Sequence, residues 1–409
     1  MSQLTEGAPV SRWMDRATAP HIVTLVLITG IGALNMNIFL PSLPAIADWY
    51  QADYAVVQLT ISAYLGVTAI LQILVGPLSD RYGRRPVLLG SLMVFLLATI
   101  GCLLAPTIEI FLAFRFLQAG IATSIALSRA IVRDMVPPNE AASMLGYVTM
   151  GMTLVPMLGP AVGGLLQEIF GWQSTLWVLL AAGGAVLFIV WADLGETNRN
   201  RSASFNEQFR AYPELLRSPR FWGYAAAAAF ASGAFFAFLG GGSFVASTLL
   251  GMDPSEVGLY FAFIAVGYML GNFLTGRYAA RMGINRMLML GAIVASTGML
   301  ITMGFFAVGM GTPLTFFGPI LLVGLGNGLT LPSANVGLVS VRPHLAGSAS
   351  GLGGAMMVGG GAALSAIAGS VLTVETGVWP LLLIMFSASA LVIPVTLYLM
   401  WRTRQVGGL

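Results

Sequence analysis

The sequence predicts an all-α integral membrane protein, twelve transmembrane helices in two pseudo-symmetric six-helix bundles. Three observations predict it. Apolar stretches of membrane-spanning length recur about a dozen times. Charged residues make up only 9% of the 409 residues against 57% hydrophobic ones, where soluble domains carry roughly a quarter charged, and the mean hydropathy is +0.85. A weak internal repeat, described below, relates the two halves. Helices rather than strands are expected, because a helix satisfies its own backbone in lipid and no alternating segments of about ten residues appear. The polar, charged first residues run straight into an apolar span, without the pattern of a cleavable leader. The single cysteine, Cys102, sits inside an apolar run, so neither a disulfide framework nor a metal site is expected, and no cofactor.

At about 20 residues per span, spans 1 to 12 are placed near 21–41, 56–77, 87–105, 108–133, 141–166, 174–193, 221–246, 256–276, 287–308, 313–336, 346–372 and 379–401. An even number puts both termini on one side, and the basic residues say which. All 19 are arginines. Only Arg115 falls outside the tails, the loops assigned to the cytoplasm and the span ends beside them. The eight tryptophans (Trp13, Trp49, Trp172, Trp177, Trp191, Trp222, Trp379, Trp401) fall at or near span ends, as an interfacial belt requires. The net charge of +3 follows from the inside arginines. It implies no nucleic-acid binding, since no arginine stripe is interleaved with aromatics on a soluble face.

The longest polar segment, Glu196 to Arg220, divides the chain into a six-helix half over 1–196, a cytoplasmic linker over 197–220 and a second half over 221–409. Within the linker, Phe205–Leu216 has the pattern of a surface amphipathic helix. At an offset of 200, Gly276 falls on Gly76, Arg281 on Arg81, Gly283 on Gly83 and Leu288 on Leu88, while Gly351 and Gly359 fall on Gly151 and Gly159. Duplicated halves of this kind place a site near the membrane midplane between them.

Three motifs carry chemistry. The turn between spans 2 and 3 reads Gly76-Pro77-Leu78-Ser79-Asp80-Arg81-Tyr82-Gly83-Arg84-Arg85-Pro86. Its glycines permit a tight turn, and Asp134, at the cytoplasmic end of span 4, is placed to pair with one of its arginines. Span 4 carries Arg115-Phe-Leu-Gln118-Ala-Gly120 and then Arg129-Ala-Ile-Val-Arg133-Asp134. Arg115 lies about seven residues into its span, roughly 10 Å deep at 1.5 Å per residue; an ionised group there marks function by default. Gln118 shares its face. Span 5 combines Gly151, Pro156, Gly159, Pro160, Gly163 and Gly164, which make it thin and kinkable.

With these motifs the whole chain resembles the major facilitator superfamily, in particular its twelve-helix drug:proton antiporters and, within them, the Bcr/CflA (bicyclomycin/chloramphenicol resistance) subfamily. Leu40-Pro41-Ser42-Leu43-Pro44 and Ala346-Gly-Ser-Ala-Ser-Gly351 add to the likeness. The resemblance implies a bacterial inner-membrane, multi-pass exporter of small amphipathic molecules, rocking two bundles about the lipid-embedded site in exchange for protons, and a monomer. It implies a conformational latch at Gly76, Asp80, Arg81, Gly83, Arg84, Arg85, Arg133 and Asp134 that holds the halves together when the outer side is open; arginines that only enforce topology are the alternative. It implies a hinge or seal in span 5, the alternative being ordinary small-residue packing.

The chain departs from that family at one position. The carboxylate of span 1 that serves proton and cation recognition is here Asn37, in Asn35-Met36-Asn37-Ile38-Phe39-Leu40-Pro41, and no acidic residue lies deep in any span. An amide cannot titrate. Coupling is therefore left to a peripheral acid such as Asp134 or Glu168, to the substrate's own ionisation, or to nothing. Arg115 without an anionic partner gives the cavity a positive potential, which favours neutral or weakly acidic substrates, phenicols included. The cavity is expected to draw on Asn35, Asn37, Phe39, Tyr64, Arg115, Gln118, Phe235, Phe236, Tyr260, Tyr268 and Asn327, aromatics and amides that suit promiscuous binding. A dedicated metabolite exporter or an uncoupled facilitator is the other reading. An enzyme is not expected, since only His21 and His344 exist and no set of nucleophiles, acids or ligands converges. A chain without lysine has no phosphate-binding Gly-x-x-x-x-Gly-Lys loop.

Overall fold

The computed structural model describes residues 12–135, 158–198, 212–342 and 345–405, with the single positions 144, 148 and 155. Eleven helices among the described residues are long and apolar enough to cross a membrane: Ile22–Tyr50 (span 1), Tyr54–Tyr82 (span 2), Arg84–Leu104 (span 3), Ile108–Val132 (span 4), Gln173–Asp193 (span 6), Pro219–Leu249 (span 7), Pro254–Ala279 (span 8), Ile284–Ala307 (span 9), Pro313–Ser340 (span 10), Ser348–Val371 (span 11) and Trp379–Gln405 (span 12). A helical stretch over 158–170 stands where span 5 is expected. Of the surface helix expected over Phe205–Leu216, residues up to 211 lie outside the described ones, and 212–216 are helical.

Several boundaries have a local cause. Thr312 closes a capping box with Thr315 at the start of span 10. Ser218 caps span 7 by accepting from the Phe221 N–H, with Pro219 at the first helical position. Span 1 is interrupted rather than ended by its prolines. Its first helix stops at Asn37, a 3-10 turn covers Leu40–Ser42, and a second helix runs Leu43–Tyr50. Proline nitrogens at 41 and 44 cannot donate, so carbonyls in this break are left for side chains from elsewhere.

Span 2 runs further than its sequence pattern predicts. It continues through Pro77 to Tyr82, so the turn consists of Gly83 alone, and Gly76 is inside the helix. Gly83 has φ +101 and ψ 153, and its counterpart Gly283 has φ +83 and ψ 150. That conformation is essentially reserved for glycine. The two glycines are 200 positions apart and open the equivalent spans 3 and 9, and Leu88 and Leu288, five residues on, are both fully buried. The repeat in sequence is a repeat in structure.

The near end of the molecule is the one that bears Gly83 and Gly283; the opposite end is the far end. One hydrophobic core runs through the first half and crosses into the far end of the second, taking in Phe238, Phe244, Val257, Phe316, Leu372 and Leu381. A separate core, including Phe221, Tyr224, Leu288, Leu338 and Leu399, fills the near end of the second half. The halves are thus fused at the far end. Spans 8 and 10 approach backbone to backbone: a Cβ at Gly271 would overlap the Leu325 carbonyl, and one at Gly324 the Ile264 carbonyl.

Candidate functional site

The break in span 1 creates the centre of the site. Where the first helix stops at Asn37, the carbonyl of Asn35 is free to accept from outside the helix. Arg115 of span 4 reaches it. Its Nη2 donates to the Asn35 carbonyl at 2.7 Å, and its Nη1 to Asn35 Oδ1 and Gln118 Oε1, each at 2.6 Å. Asn35 Nδ2 donates to the Tyr64 hydroxyl at 3.1 Å, and Gln118 Nε2 to Thr99 Oγ1 at 2.7 Å. The guanidinium carbon lies 4.0 Å from the ring centre of Phe39 and 4.8 Å from that of Tyr64. Arg115 is only 1% exposed and its Nε has no partner.

This is a cation held by dipoles and aromatic faces. Its position differs from the cavity lining expected of it. Arg115, Asn35, Gln118, Phe39 and Tyr64 are all buried within the first half, so they do not line an open surface in this conformation. The cause is the free Asn35 carbonyl, which draws the guanidinium inward. Asn37 stands apart from this network. Its Nδ2 donates to the Ala33 carbonyl at 2.7 Å, and its Cβ faces Gly159 of span 5.

The second half contributes differently. Phe235 and Phe236 of span 7 are half-buried and meet edge to face at 5.6 Å. Tyr268 of span 8 accepts at its carbonyl from Asn272 Nδ2 at 2.8 Å. Tyr260 is instead drawn into the second half's own aromatic cluster, stacked on Phe263 at 5.6 Å and 5.2 Å from Phe317. Asn327 is buried in span 10 with its Nδ2 unpartnered. The structure therefore brings Asn35, Phe39, Tyr64, Arg115 and Gln118 together in the first half and leaves Asn37, Phe235, Phe236, Tyr260, Tyr268 and Asn327 outside that network. Among the described residues no group of three or more His, Cys, Asp or Glu side chains converges on one point.

At the near end Arg84 pairs with Asp80 and, through Nε at 3.0 Å, with Asp134. Asp80, Arg84 and Asp134 all belong to the first half, so these pairs tie spans 2, 3 and 4 to one another rather than one half to the other. Arg85 Nε donates to the Leu194 carbonyl at 2.7 Å, closing the end of span 6. Arg81 stacks on Tyr82; the Arg133 side chain lies outside the described ones. In span 5, Gly151 and Pro156 are likewise outside the described residues. Gly163 packs on the Ile38 carbonyl in the span 1 break, and Gly164 on the Pro254 carbonyl at the start of span 8. Reciprocally, Gly258 of span 8 packs on the Pro160 carbonyl. Of the described motif residues, Gly159 and Gly163 pack against span 1 and Pro160 and Gly164 against span 8 of the second half.

Several residues in these networks are missed by sequence reasoning. Glu196 accepts from the backbone N–H groups of Arg84 (2.9 Å) and Arg85 (3.3 Å), capping span 3 with a carboxylate at its positive end. Asp193, fully buried, accepts from Met14 N (2.7 Å), His21 N (2.9 Å) and Thr24 Oγ1 (2.6 Å) and so caps span 1. Thr99 completes the Arg115 network. No spacing rule identifies them, because each partner lies far away in the chain; a carboxylate just past an apolar span is the sole signal.

A family model described as Major Facilitator Superfamily matches residues 25–366 and, in a second match, 244–408. Among curated proteins the chain is similar to an uncharacterized MFS-type transporter YdgK of Bacillus subtilis, 31% identical over 347 residues, covering 83% of this chain and 86% of that one. It is 29% identical over 325 residues to a chloramphenicol resistance protein of Pseudomonas aeruginosa (78% and 76% covered). It is 26% identical over 368 residues to a bicyclomycin resistance protein homolog of Haemophilus influenzae (87% and 90% covered). Among solved structures, a point mutant of the nucleoside transporter NupG superposes with TM-score 0.76 at 14% identity over 92% of this chain and 98% of that one. A bacterial homolog of the human lysosomal transporter Spinster, in an inward-facing and occupied conformation, gives TM-score 0.69 at 16% identity over 94% and 96%.

Proposed function

The chain belongs to the major facilitator superfamily, a transporter and not an enzyme, and from that premise we propose that it exports small amphipathic molecules across the bacterial inner membrane by alternating access, in exchange for protons. Relatives named for chloramphenicol and bicyclomycin resistance support export of drug-like compounds, and the motif likeness to the Bcr/CflA subfamily agrees with them. The chain acts as a monomer with both termini in the cytoplasm, so the near end is cytoplasmic and the far end periplasmic. The two halves, 1–196 and 221–409, rock about the midplane, and the linker 197–220 joins them. In the outward-open state Gly76, Asp80, Arg81, Gly83, Arg84, Arg85, Arg133 and Asp134 form the latch that holds the halves together. The glycines of span 5 form the seal, and Phe235, Phe236 and Tyr268 line the path.

The single observation that carries the substrate preference is the Arg115 network. A guanidinium held only by amide oxygens and ring faces places its charge in a low-dielectric setting, where a unit charge acts over several ångströms. Among the described residues no carboxylate stands beside it to neutralise that field or to attract a cation. Neutral and weakly acidic amphiphiles such as phenicols are the substrates this favours, and lipophilic cations are disfavoured. Efflux from cells lacking their own pumps tests it: a neutral phenicol is expected to be exported and an ethidium-type cation to be retained. Preferential export of the cation overturns the proposal.

Asn37 favours a second reading, an uncoupled facilitator or a dedicated metabolite exporter of the same fold. An amide bonded to the Ala33 carbonyl carries no proton through a cycle.

A further inference from the structure

The far end is where the halves are joined, and among the described residues three side chains join them by hydrogen bonds. The Tyr54 hydroxyl of span 2 donates to the Gly240 carbonyl of span 7 at 2.7 Å. Ser243 Oγ of span 7 donates to the Leu40 carbonyl at 2.6 Å. That carbonyl would meet the nitrogen of Pro44 in a continuous helix, and proline has no hydrogen to give it. One turn after Tyr54, Gln58 Nε2 donates to the Ser365 carbonyl of span 11 at 2.9 Å. All three bonds end on main-chain carbonyls, and none is an ion pair.

Gln58 differs from the other two in how it is enclosed. It is 1% exposed and sits in a socket that glycine alone permits. A Cβ at Gly240 would collide with its Nε2, and a Cβ at Gly369 with its Oε1. The socket satisfies only part of what it encloses. Gln58 Oε1 and the neighbouring Ser365 Oγ are both buried without a hydrogen-bond partner. Unmade hydrogen bonds on buried groups are costly, and water restores them once the far ends part. A well-fitted knob that leaves two polar groups unsatisfied holds the far end shut without making that state a trap.

We infer that Gln58 is a positioning residue of the transport cycle: its amide, seated between Gly240 and Gly369, sets the balance between the far-end-closed and far-end-open states. This rests on the alternating-access reading above but on none of its substrate assignments. The surroundings of Gln58, namely Gly240 from span 7, Ser365 and Gly369 from span 11 and Tyr54 on its own helix, include one titratable group, and a phenol with an ordinary pKa near 10 stays neutral in ordinary buffers.

The test is a distance between spin labels on cysteines introduced at Asp53 and Glu375, in the far-end loops of the two halves, with Cys102 replaced by alanine. It is read without any substrate, so its outcome is separate from that of the export assay. The native socket is expected to give a short distance that does not change between about pH 5 and about pH 9. Gln58→Glu keeps the shape and, when protonated, the donor, so it should match that distance in acid. In alkali the ionised carboxylate is buried without a donor, and the separated population should rise on the order of tenfold. Gly369→Ala, which obstructs the socket, should give the longer distance at both pH values. A Gln58→Glu protein whose distances equal those of the native socket at both pH values overturns the inference. Should that variant not fold, an unchanged distance in Gly369→Ala does the same.

Discussion

The two halves share a scaffold and are stabilised by different means. Gly83 and Gly283 occupy the same turn with nearly the same backbone angles. Around Gly83 the chain has assembled Glu196, Asp80, Arg84 and Asp134, and a Cβ there would strike the Glu196 carboxylate. Around Gly283 a Cβ would meet nothing. Inside the first half an arginine and its amides occupy the core. In the second, the corresponding depth holds Phe238, Phe261, Phe316 and Phe317, with ring centres 4.9 to 6.3 Å apart, and spans pressed together on glycine. One half carries the buried polar network, and the other supplies close packing and an apolar wall.

Four sets of substitutions probe that contrast. The largest effect is expected at Arg115. Arg115→Ala leaves Asn35 Oδ1 and Gln118 Oε1 buried without donors beside a cavity, and thermal unfolding in detergent should register a loss of about 3–5 kcal/mol. Arg115→Met fills the space but leaves the same two amide oxygens without donors, so it should recover only the cavity part of that loss, about 1–2 kcal/mol. Transport should fall in both. Equal stability losses in the two variants would show that the charge is structural.

Next is the glycine seam of the second half. Gly271→Ala places a methyl on the Leu325 carbonyl and should cost about 1–3 kcal/mol through forced separation of spans 8 and 10. The same change at Gly276, where a Cβ meets nothing, should be close to neutral in the same melt.

The paired turns come third. Gly283→Ala should cost about 1 kcal/mol from backbone strain alone, and Gly83→Ala about 2–3 kcal/mol because the strain is joined by displacement of Glu196. Matching costs would mean that Glu196 yields freely and that the halves are more alike than their contacts indicate. The smallest effect belongs to Glu196→Gln, which keeps the acceptor on span 3 but removes its charge, about 0.3–1 kcal/mol and weaker in high salt.

Much of this is legible in the sequence. The apolar spans, the repeat that puts Gly283 on Gly83, and the depth of Arg115 all follow from local pattern, because lipid imposes length and hydropathy on each span separately. The partner of Arg115 does not follow. Gln118 shares its helix face and can be named, but the Asn35 carbonyl is free only because span 1 breaks where it does, and whether Pro41 and Pro44 end or merely interrupt a helix is decided by packing. The extent of span 2 escapes for a similar reason: Pro77 is tolerated inside the helix, and the stop belongs to Gly83. Asp193 and Glu196 are invisible as caps, since the N–H groups they receive lie 172 and 112 residues away. Gln58 reads as an ordinary polar residue at a span end, for its socket consists of two glycines from the other half.

The most direct test of the central claim, a proton-coupled exporter built around a fixed positive charge without a span 1 carboxylate, is uptake of a labelled phenicol into inverted membrane vesicles under an imposed pH gradient. The native protein, Arg115→Ala and Asn37→Asp would be compared. The account predicts gradient-dependent uptake that a protonophore abolishes, that fails in Arg115→Ala, and that the native Asn37 already supports. Native uptake indifferent to the gradient, with coupling gained only in Asn37→Asp, would contradict it and identify the chain as a facilitator.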